Sequence, residues 1–199
     1  LLCKDLGIHY TYLGTGCIFN YRNEEEYGRE INGFTEKDIP NFYGSSYSVV
    51  KGFTDMLMHQ LESNVLNLRI RMPIVGESNP RNFITKISKY QKICSIPNSM
   101  TVLPDFYPVI LDLILNKTTG TLNLTNPGLI SHNEILEMYR DIVDNSFTWE
   151  NFTIEEQDNI LDSKRSNNFL CTKKLEWLYP NIKDIKVSVK DILNNYKLI

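Results

Sequence analysis

The sequence predicts an α/β protein with a doubly wound parallel sheet and a smaller second domain toward the carboxyl end. Residues 8–13 are β-branched and aromatic and stop at two glycines, as a buried strand would. Apolar residues then recur at helical spacing over 45–61, and a second strand is expected over 65–72, ended by Pro73. Strand, loop, helix and strand in this order are typical of sheets whose parallel strands are joined by helical crossovers.

The pattern changes after Pro73, where prolines separate short helical segments. We expect helices over 82–90 and 104–116. These segments are too short and too irregular to continue the alternation of strand and helix. We therefore assign residues 1–75 to the sheet domain and residues 76–199 mainly to a second domain.

Residues 121–140 are expected to return to the sheet. The segment 121–125 has the character of a strand and is followed by a turn. Ser131 and Glu134 have the spacing of a capping box, which predicts a helix that begins there and runs through Arg140.

Composition excludes several classes of protein. The 199 residues carry 21 basic and 24 acidic side chains without a basic stripe, so a nucleic-acid partner is not expected. The four cysteines contain no Cys-x-x-Cys pair, which argues against a structural zinc site or a disulfide scaffold and favours a reduced, cytoplasmic setting. No apolar run reaches the roughly 18 residues of a membrane span.

Tyr47 and Lys51 are the first candidates for chemistry. Their spacing of four places both side chains on one face of the expected helix, where the ammonium group can favour the phenolate of the tyrosine. Tyr-x-x-x-Lys alone occurs by chance in many helices. Thr15, at the end of the preceding strand, could hydrogen-bond the same carbonyl that the tyrosine would protonate. The combination resembles the catalytic triad of short-chain dehydrogenases.

The surrounding segments make the resemblance more specific. They resemble the nucleotide-rhamnose synthases of plants and giant viruses, which are epimerase/reductases of the extended short-chain dehydrogenase superfamily. The matching segments are GTGCIF at 14–19, PNFYGSSYSVVK at 40–51, RIRMPI at 69–74, NPRNFITKI at 79–87, SIPNSMT at 95–101, LTNPG at 124–128, SHNEIL at 131–136 and RSNN at 165–168.

This resemblance implies a Rossmann-type parallel sheet with a smaller carboxy-terminal substrate-binding domain. The family converts UDP-4-keto-6-deoxyglucose to UDP-L-rhamnose with NADPH or NADH. Its glycine-rich phosphate-binding turn has no counterpart in this chain. Because the first residue is Leu and falls in what resembles a helix end, we expect the amino-terminal strands of the sheet to lie upstream of it.

The resemblance also implies roles for individual residues. Tyr47 would protonate the C4 oxygen of the sugar, Lys51 would assist it and contact the cofactor ribose, and Thr15 would orient the carbonyl. Tyr47 and Lys51, with Met72 and Pro73, would therefore bind the cofactor.

For the epimerisation, the resemblance implies Cys17 and Lys86 as the acid and base groups. The related GDP-fucose synthases pair the equivalent cysteine with a histidine, for which Lys86 is the available replacement here. The UDP-sugar would be bound by Arg81, Asn82, Phe83, Met100, Thr101, Val102, Arg165 and Asn168. No metal site is expected, and a homodimer is an expected assembly.

Two other functions remain open from the sequence. The protein could be a 4-ketoreductase that depends on a separate epimerase, in which case Cys17 and Lys86 would have no catalytic role. It could also be a non-catalytic dinucleotide-binding regulatory subunit, which the intact set of Thr15, Tyr47 and Lys51 argues against. The choices between NADPH and NADH, and between UDP and dTDP as the carrier, are not decided by these residues.

Overall fold

A computed structural model describes residues 1–30 and 33–196. Its strands are β1 Tyr10–Thr15, β2 Val65–Ile70, β3 Pro73–Ile74, β4 Lys92–Ile93, β5 Thr101–Val102, β6 Gly120–Asn123 and β7 Glu150–Asn151. Its helices are α1 Leu2–Asp5, α2 Ser46–His59, α3 Phe83–Ile87, α4 Leu103–Leu115, α5 His132–Ile142, α6 Ile154–Ile160, α7 Lys173–Leu178 and α8 Ile185–Asn194. None of the helices in these ranges is long and apolar enough to cross a membrane.

The main sheet has three parallel strands in the order β1, β2, β6. Strand β2 is central and almost completely buried, with Leu66 and Leu68 packed against Phe106 and Leu113 of α4 and Leu122 of β6. Because parallel strands end at the same edge of a sheet, the residues after β1 and β2 lie side by side. This edge positions the candidate site.

Strand β1 lies two residues later than the sequence predicts. It pairs with β2 from Tyr10 to Thr15, so Gly14 and Thr15 are part of the strand and not of the following turn. A Cβ atom at Gly14 would lie 2.6 Å from Oδ1 of Asn67, which explains why the strand continues through a glycine.

Helix α2 begins after Ser45, whose hydroxyl accepts a hydrogen bond from the Ser48 amide at 3.1 Å. The apolar residues that predict the helix are not the residues it buries: Val50, Phe53 and Leu57 are 62%, 62% and 55% exposed. The buried face consists of Ser48, Gly52, Asp55 and Met58.

A buried ion pair explains this orientation of α2. The Asp55 carboxylate accepts hydrogen bonds from Nε and Nη2 of Arg69 on β2, at 2.8 and 2.6 Å. It also accepts one from the Asn67 amide at 2.8 Å. Both charges are removed from water, so each requires the other. The helix therefore turns a polar face toward the sheet.

A second layer carries the other wall of the site. Strand β2 continues through Arg71 and Met72 into β3, which pairs with β5. Met72 has a φ of 43°, a left-handed conformation that is costly for a residue with a side chain. Helices α3, α5 and α8 pack with these two strands around Ile84, Ile135 and Val189.

Helix α3 is shorter than the predicted helix over 82–90. Its N-cap is Asn82, and the helix ends at Ile87. The amides of Lys89 and Tyr90 donate to carbonyls three residues earlier, which is a tighter turn than an α-helix allows.

Strand β6 pairs with β2 in the main sheet. The division between domains at residue 75 stays a prediction.

Candidate active site

The candidate site is a cleft of about 1160 Å³ at the carboxyl ends of β1 and β2. Thr15 and Cys17 lie at the end of β1, and Tyr47 lies on the first turn of α2. Helix α3 and residues 164–167 border the same cleft.

Thr15 and Cys17 are fixed by the turn that follows β1. The Cys17 amide donates a hydrogen bond to Oγ1 of Thr15 at 3.1 Å. Thr15 is buried and Cys17 is half-buried, and both line the cleft. The hydroxyl and the thiol are therefore available to one bound molecule.

Tyr47 and Lys51 lie one helical turn apart on α2. Tyr47 is 53% exposed at the cleft. The Lys51 Nζ lies 6.0 Å from the centre of the Tyr47 ring, and it donates a hydrogen bond to Oη of Tyr12 at 3.0 Å. This hydrogen bond to Tyr12 raises the pKa of Lys51, so the ammonium form is favoured.

Tyr12 is a contact that the sequence analysis missed. It lies on β1, three residues before Thr15, and Lys51 Nζ is 5.1 Å from the centre of its ring. Alternation along the strand could have placed Tyr12 on one face, but nothing in the Tyr-x-x-x-Lys spacing indicates a partner on another element.

Six more predicted residues line the cleft. Lys86 and Arg81 are exposed, and Phe83 is half-buried, on or beside α3. Met72 and Pro73 lie between the two layers. Arg165, also a predicted contact and also exposed, borders the cleft from the carboxy-terminal part of the chain.

The other predicted substrate contacts lie behind the cleft wall. Asn82 caps α3 and donates to the carbonyls of Val75 and Glu77 at 3.0 and 2.8 Å. Thr101 donates its hydroxyl proton to the Leu124 carbonyl at 2.8 Å. These side chains are buried and committed to backbone groups.

The remaining three predicted substrate contacts are also buried. Met100 and Val102 are fully buried on either side of Thr101, in the core of the second layer. Asn168 is also fully buried, and its side-chain amide donates to the carbonyls of Gly16 and Phe19, both at 2.9 Å. Asn82, Met100, Thr101, Val102 and Asn168 are not among the residues that line the cleft, and substrate contact by them stays a prediction.

Arg71 is a second residue that the sequence analysis missed. It is 1% exposed and lines the cleft at the end of β2. Its Nη2 donates to the Ser166 carbonyl, whereas Nε and Nη1 have no hydrogen-bond partner within residues 1–30 and 33–196. An arginine in an otherwise buried strand is a signal that could have indicated it, because charged residues are rarely buried without a partner.

His132 lies beside Arg71 at the first position of α5. Burial, and then the positive charge of Arg71, lower the pKa of His132 to about 4. Its Nδ1 atom is buried and has no hydrogen-bond partner in the described part of the chain. The imidazole is therefore neutral at neutral pH.

The described residues contain no group of three acidic, histidine or cysteine side chains that could hold a metal ion.

Known proteins resemble almost all of this chain, although no protein-family model matches it. Protein L780 of Acanthamoeba polyphaga mimivirus is 57% identical over 196 residues, which cover 98% of this chain and 67% of L780. The crystal structure of L780, described as a UDP-rhamnose synthase, has a TM-score of 0.92 to this structure.

A plant enzyme is also similar. The bifunctional dTDP-4-dehydrorhamnose 3,5-epimerase/dTDP-4-dehydrorhamnose reductase of Arabidopsis thaliana is 48% identical over 189 residues, which cover 94% of this chain and 62% of that enzyme. The chain thus spans about two thirds of the length of these relatives.

A more distant structure shows the fold alone. The dTDP-4-dehydrorhamnose reductase of Bacillus anthracis, solved in complex with NADP, is 16% identical with a TM-score of 0.70, over 94% of this chain and 66% of that chain. The fold is therefore of the Rossmann-like α/β type. On its identity to L780 and to the plant enzyme, the chain belongs to the nucleotide-rhamnose synthases, the epimerase/reductases of the extended short-chain dehydrogenase superfamily.

Proposed function

We propose that the protein inverts C3 and C5 of UDP-4-keto-6-deoxyglucose and then reduces its C4 carbonyl, to give UDP-L-rhamnose. One observation carries the proposal: proton-transfer groups for both reactions border one cleft. Thr15, Cys17 and Tyr47 lie at one side, and Lys86 lies on the layer that contains α3. The similarity to a UDP-rhamnose synthase supports the same conclusion.

The reduction uses the groups on β1 and α2. When bound, NADPH or NADH would supply the hydride to C4. Tyr47 donates its phenolic proton to the C4 oxygen, and the Lys51 ammonium favours the resulting phenolate. Thr15 orients the carbonyl with its hydroxyl. The hydrogen bond from Lys51 to Tyr12 holds the ammonium group 6.0 Å from the centre of the Tyr47 ring.

The cleft has features that suit the nicotinamide end of such a cofactor. Tyr47 is half exposed, and Lys51 has donors beyond the one it gives to Tyr12. Met72, in its strained conformation, and Pro73 form the adjoining wall. We propose that these four residues contact the nicotinamide riboside.

The epimerisation requires a proton to be removed from one face of a carbon and returned to the other. Cys17 and Lys86 belong to different layers of the molecule and both border the cleft. This arrangement suits a base and an acid that act on opposite faces of the sugar. The C4 carbonyl acidifies the protons on C3 and C5, so the ketone is the substrate for both reactions.

The nucleotide part of the substrate would be bound near α3. Arg81 and Arg165 can each offer a fork of N–H donors to a diphosphate, and Phe83 supplies an aromatic surface. We propose UDP as the carrier. The five buried residues behind the wall would hold these contacts in place.

The function is tested with full-length protein, UDP-4-keto-6-deoxyglucose and each cofactor, with identification of the products. In deuterated water without cofactor, the protein should exchange the protons on C3 and C5 for deuterium. Tyr47→Phe should keep this exchange and lose reduction by roughly 100-fold or more. Cys17→Ala should lose the exchange but still reduce substrate that another enzyme has epimerised. Exchange at the rate of wild type in Cys17→Ala and Lys86→Ala would leave a reductase only.

We also propose that the protein is a cytoplasmic homodimer. The four cysteines are free, which fits a reducing compartment. The exposed apolar face of α2, formed by Val50, Phe53 and Leu57, is a surface that a second copy could bury. Sedimentation of the protein and of Phe53→Glu would test the assembly, because a charge on this face should separate the two copies.

A further inference from the structure

Thr101 lies where the two layers of the protein meet. It is fully buried on β5, the strand of the second layer that pairs with β3. Its hydroxyl accepts a hydrogen bond from the Arg71 amide at 3.0 Å and donates one to the Leu124 carbonyl at 2.8 Å. Arg71 directly follows β2, and Leu124 directly follows β6. One side chain of the second layer therefore joins the ends of two strands of the main sheet.

The backbone of Arg71 is held on both sides by this residue. Thr101 also donates its amide to the Arg71 carbonyl at 2.8 Å, so both polar groups of the Arg71 backbone are bonded to Thr101. Met72 comes next, in the left-handed conformation with a φ of 43°. Such a conformation persists where the surrounding structure over-determines it. The two bonds to Thr101 supply that restraint immediately before the chain enters β3.

This junction sets the relation between the two walls of the cleft. Lys86 lies on α3, whose Ile84 packs in one cluster with Ile74 of β3 and Val102 of β5. On the other wall, Cys17 comes shortly after β1, which pairs along its full length with β2. The distance between Lys86 and Cys17 therefore depends on how β5 is held to the end of β2.

We propose that Thr101 is a positioning residue of the epimerisation, which fixes the separation of the acid and the base across the cleft. This role rests on the proposed function, in which Cys17 and Lys86 act on opposite faces of the sugar. One group takes the proton from C3 or C5, and the electron pair of the C–H bond moves onto the C4 oxygen. The other group returns a proton to the opposite face of the carbon as the carbonyl re-forms. Exchange with water then restores both groups.

Reduction makes a smaller demand on the junction. Its proton donor Tyr47 and the assisting groups of Thr15 and Lys51 all lie on β1 and α2, within one layer. Inversion instead needs groups from both layers at one carbon. A displacement of about 1 Å can slow such a reaction by roughly 100-fold. A loosened junction should therefore slow inversion more than reduction.

Thr101→Val tests this role, because it keeps the shape of the side chain and removes the hydroxyl. The backbone bond to Arg71 remains, as do the hydrogen bonds that join Val102 and Met100 to Asn126, so we expect the variant to fold. Full-length protein is assayed by NMR for inversion of UDP-4-keto-6-deoxyglucose without cofactor, and separately for reduction of substrate that another enzyme has epimerised. The ratio of the two rates does not depend on the amount of folded protein. In Thr101→Val this ratio should fall at least about fivefold.

Two matched variants separate the hydroxyl from the packing. Thr101→Ser keeps the hydroxyl, so it should bring the ratio back to within about twofold of wild type. Thr125 is also fully buried, and its hydroxyl has no hydrogen-bond partner in the described part of the chain. Thr125→Val thus removes an equally buried hydroxyl without breaking a hydrogen bond, and the ratio should not change.

The outcomes separate the two proposals. If wild type exchanges no deuterium at C3 and C5, the epimerase function fails and the role of Thr101 fails with it. If wild type exchanges deuterium but Thr101→Val has the wild-type ratio, only the role of Thr101 fails. Equal loss of both reactions belongs to this second outcome, because it is the result expected of a residue that contacts the substrate.

Thermal denaturation identifies a Thr101→Val protein that does not fold. In that case Thr101→Cys decides, since a thiol is a weaker hydrogen-bond donor and acceptor than a hydroxyl. A ratio of inversion to reduction at least about threefold below that of wild type is expected. An unchanged ratio in this variant would overturn the proposal.

Discussion

The neutral state of His132 predicts a loss of stability in mild acid. A histidine has an ordinary pKa of 6.5 when the chain is unfolded, and burial followed by the charge of Arg71 lowers it to about 4 in the folded protein. The unfolded chain therefore binds a proton in a range of pH where the folded chain does not. The contribution of the neutral His132 to the free energy of unfolding is therefore complete above about pH 6.5, and it is lost as the pH is lowered toward about 4.

The size of this effect follows from the two pKa values. At about pH 5 the unfolded state gains roughly 2 kcal/mol from protonation of this one side chain, and the full difference between a pKa of 6.5 and one of about 4 corresponds to about 3 kcal/mol. Such a loss is a large part of the stability of an ordinary domain. Carboxylates also titrate in this range, so the histidine must be separated from them.

Urea denaturation of wild type and His132→Gln, from about pH 8 to about pH 4.5, makes this separation. Because both proteins contain the same carboxylates, the effect of carboxylate titration cancels in the difference between their free energies of unfolding. It should move in favour of the variant by about 2 kcal/mol as the pH falls to about 5. A difference that stays constant with pH would refute the argument. In Arg71→Gln the change should be smaller, because one of the two causes is removed.

Three further predictions concern other contacts. Tyr12→Phe removes the acceptor of the Lys51 hydrogen bond, so steady-state reduction should slow by a few-fold to about tenfold while deuterium exchange is unchanged; equal loss of both would point to misfolding. The pKa of Glu134 is lowered, because hydrogen bonds from Lys186 and Ser131 outweigh its burial. Glu134→Gln should therefore cost roughly 0.5–1 kcal/mol in urea denaturation at neutral pH, and this cost should disappear as acid protonates the carboxylate. Lys117 has a φ of 52° after the end of α4, so Lys117→Gly should stabilise the protein by about 1 kcal/mol, with a higher Tm, whereas a lower Tm would contradict the strain.

Features that depend on neighbouring residues could be predicted from the sequence. The capping box of Ser131 and Glu134 is confirmed, with both hydrogen bonds present, because its partners lie three residues apart. Helix α2 is likewise present. Its orientation could not be predicted, since the spacing of Val50, Phe53 and Leu57 is the same whether that face is buried or exposed. The pairing of Asp55 with Arg69 decides it.

The same distinction applies to the site. The segments 14–19 and 40–51, which carry the family resemblance, both contribute residues to the cleft because strand ends and helix starts meet there. The resemblance did not separate residues that line the cleft from buried residues behind it, such as Thr101 and Asn168. Arg71 and Tyr12 could not be predicted as site residues, because their contacts are with other elements, at sequence separations that no local pattern reports.

The hydrogen bonds of Asn168 to Gly16 and Phe19 have a consequence for synthesis of the protein. The donor follows the Gly16 acceptor by 152 residues. At ordinary rates of translation, roughly 8 to 30 s pass between the addition of Gly16 and that of Asn168. During this interval the loop that carries Cys17 lacks the amide that satisfies its carbonyls. A nascent chain would thus expose the Cys17 thiol before the pocket exists, and we expect oxidants to modify Cys17 more in newly made protein than in mature protein.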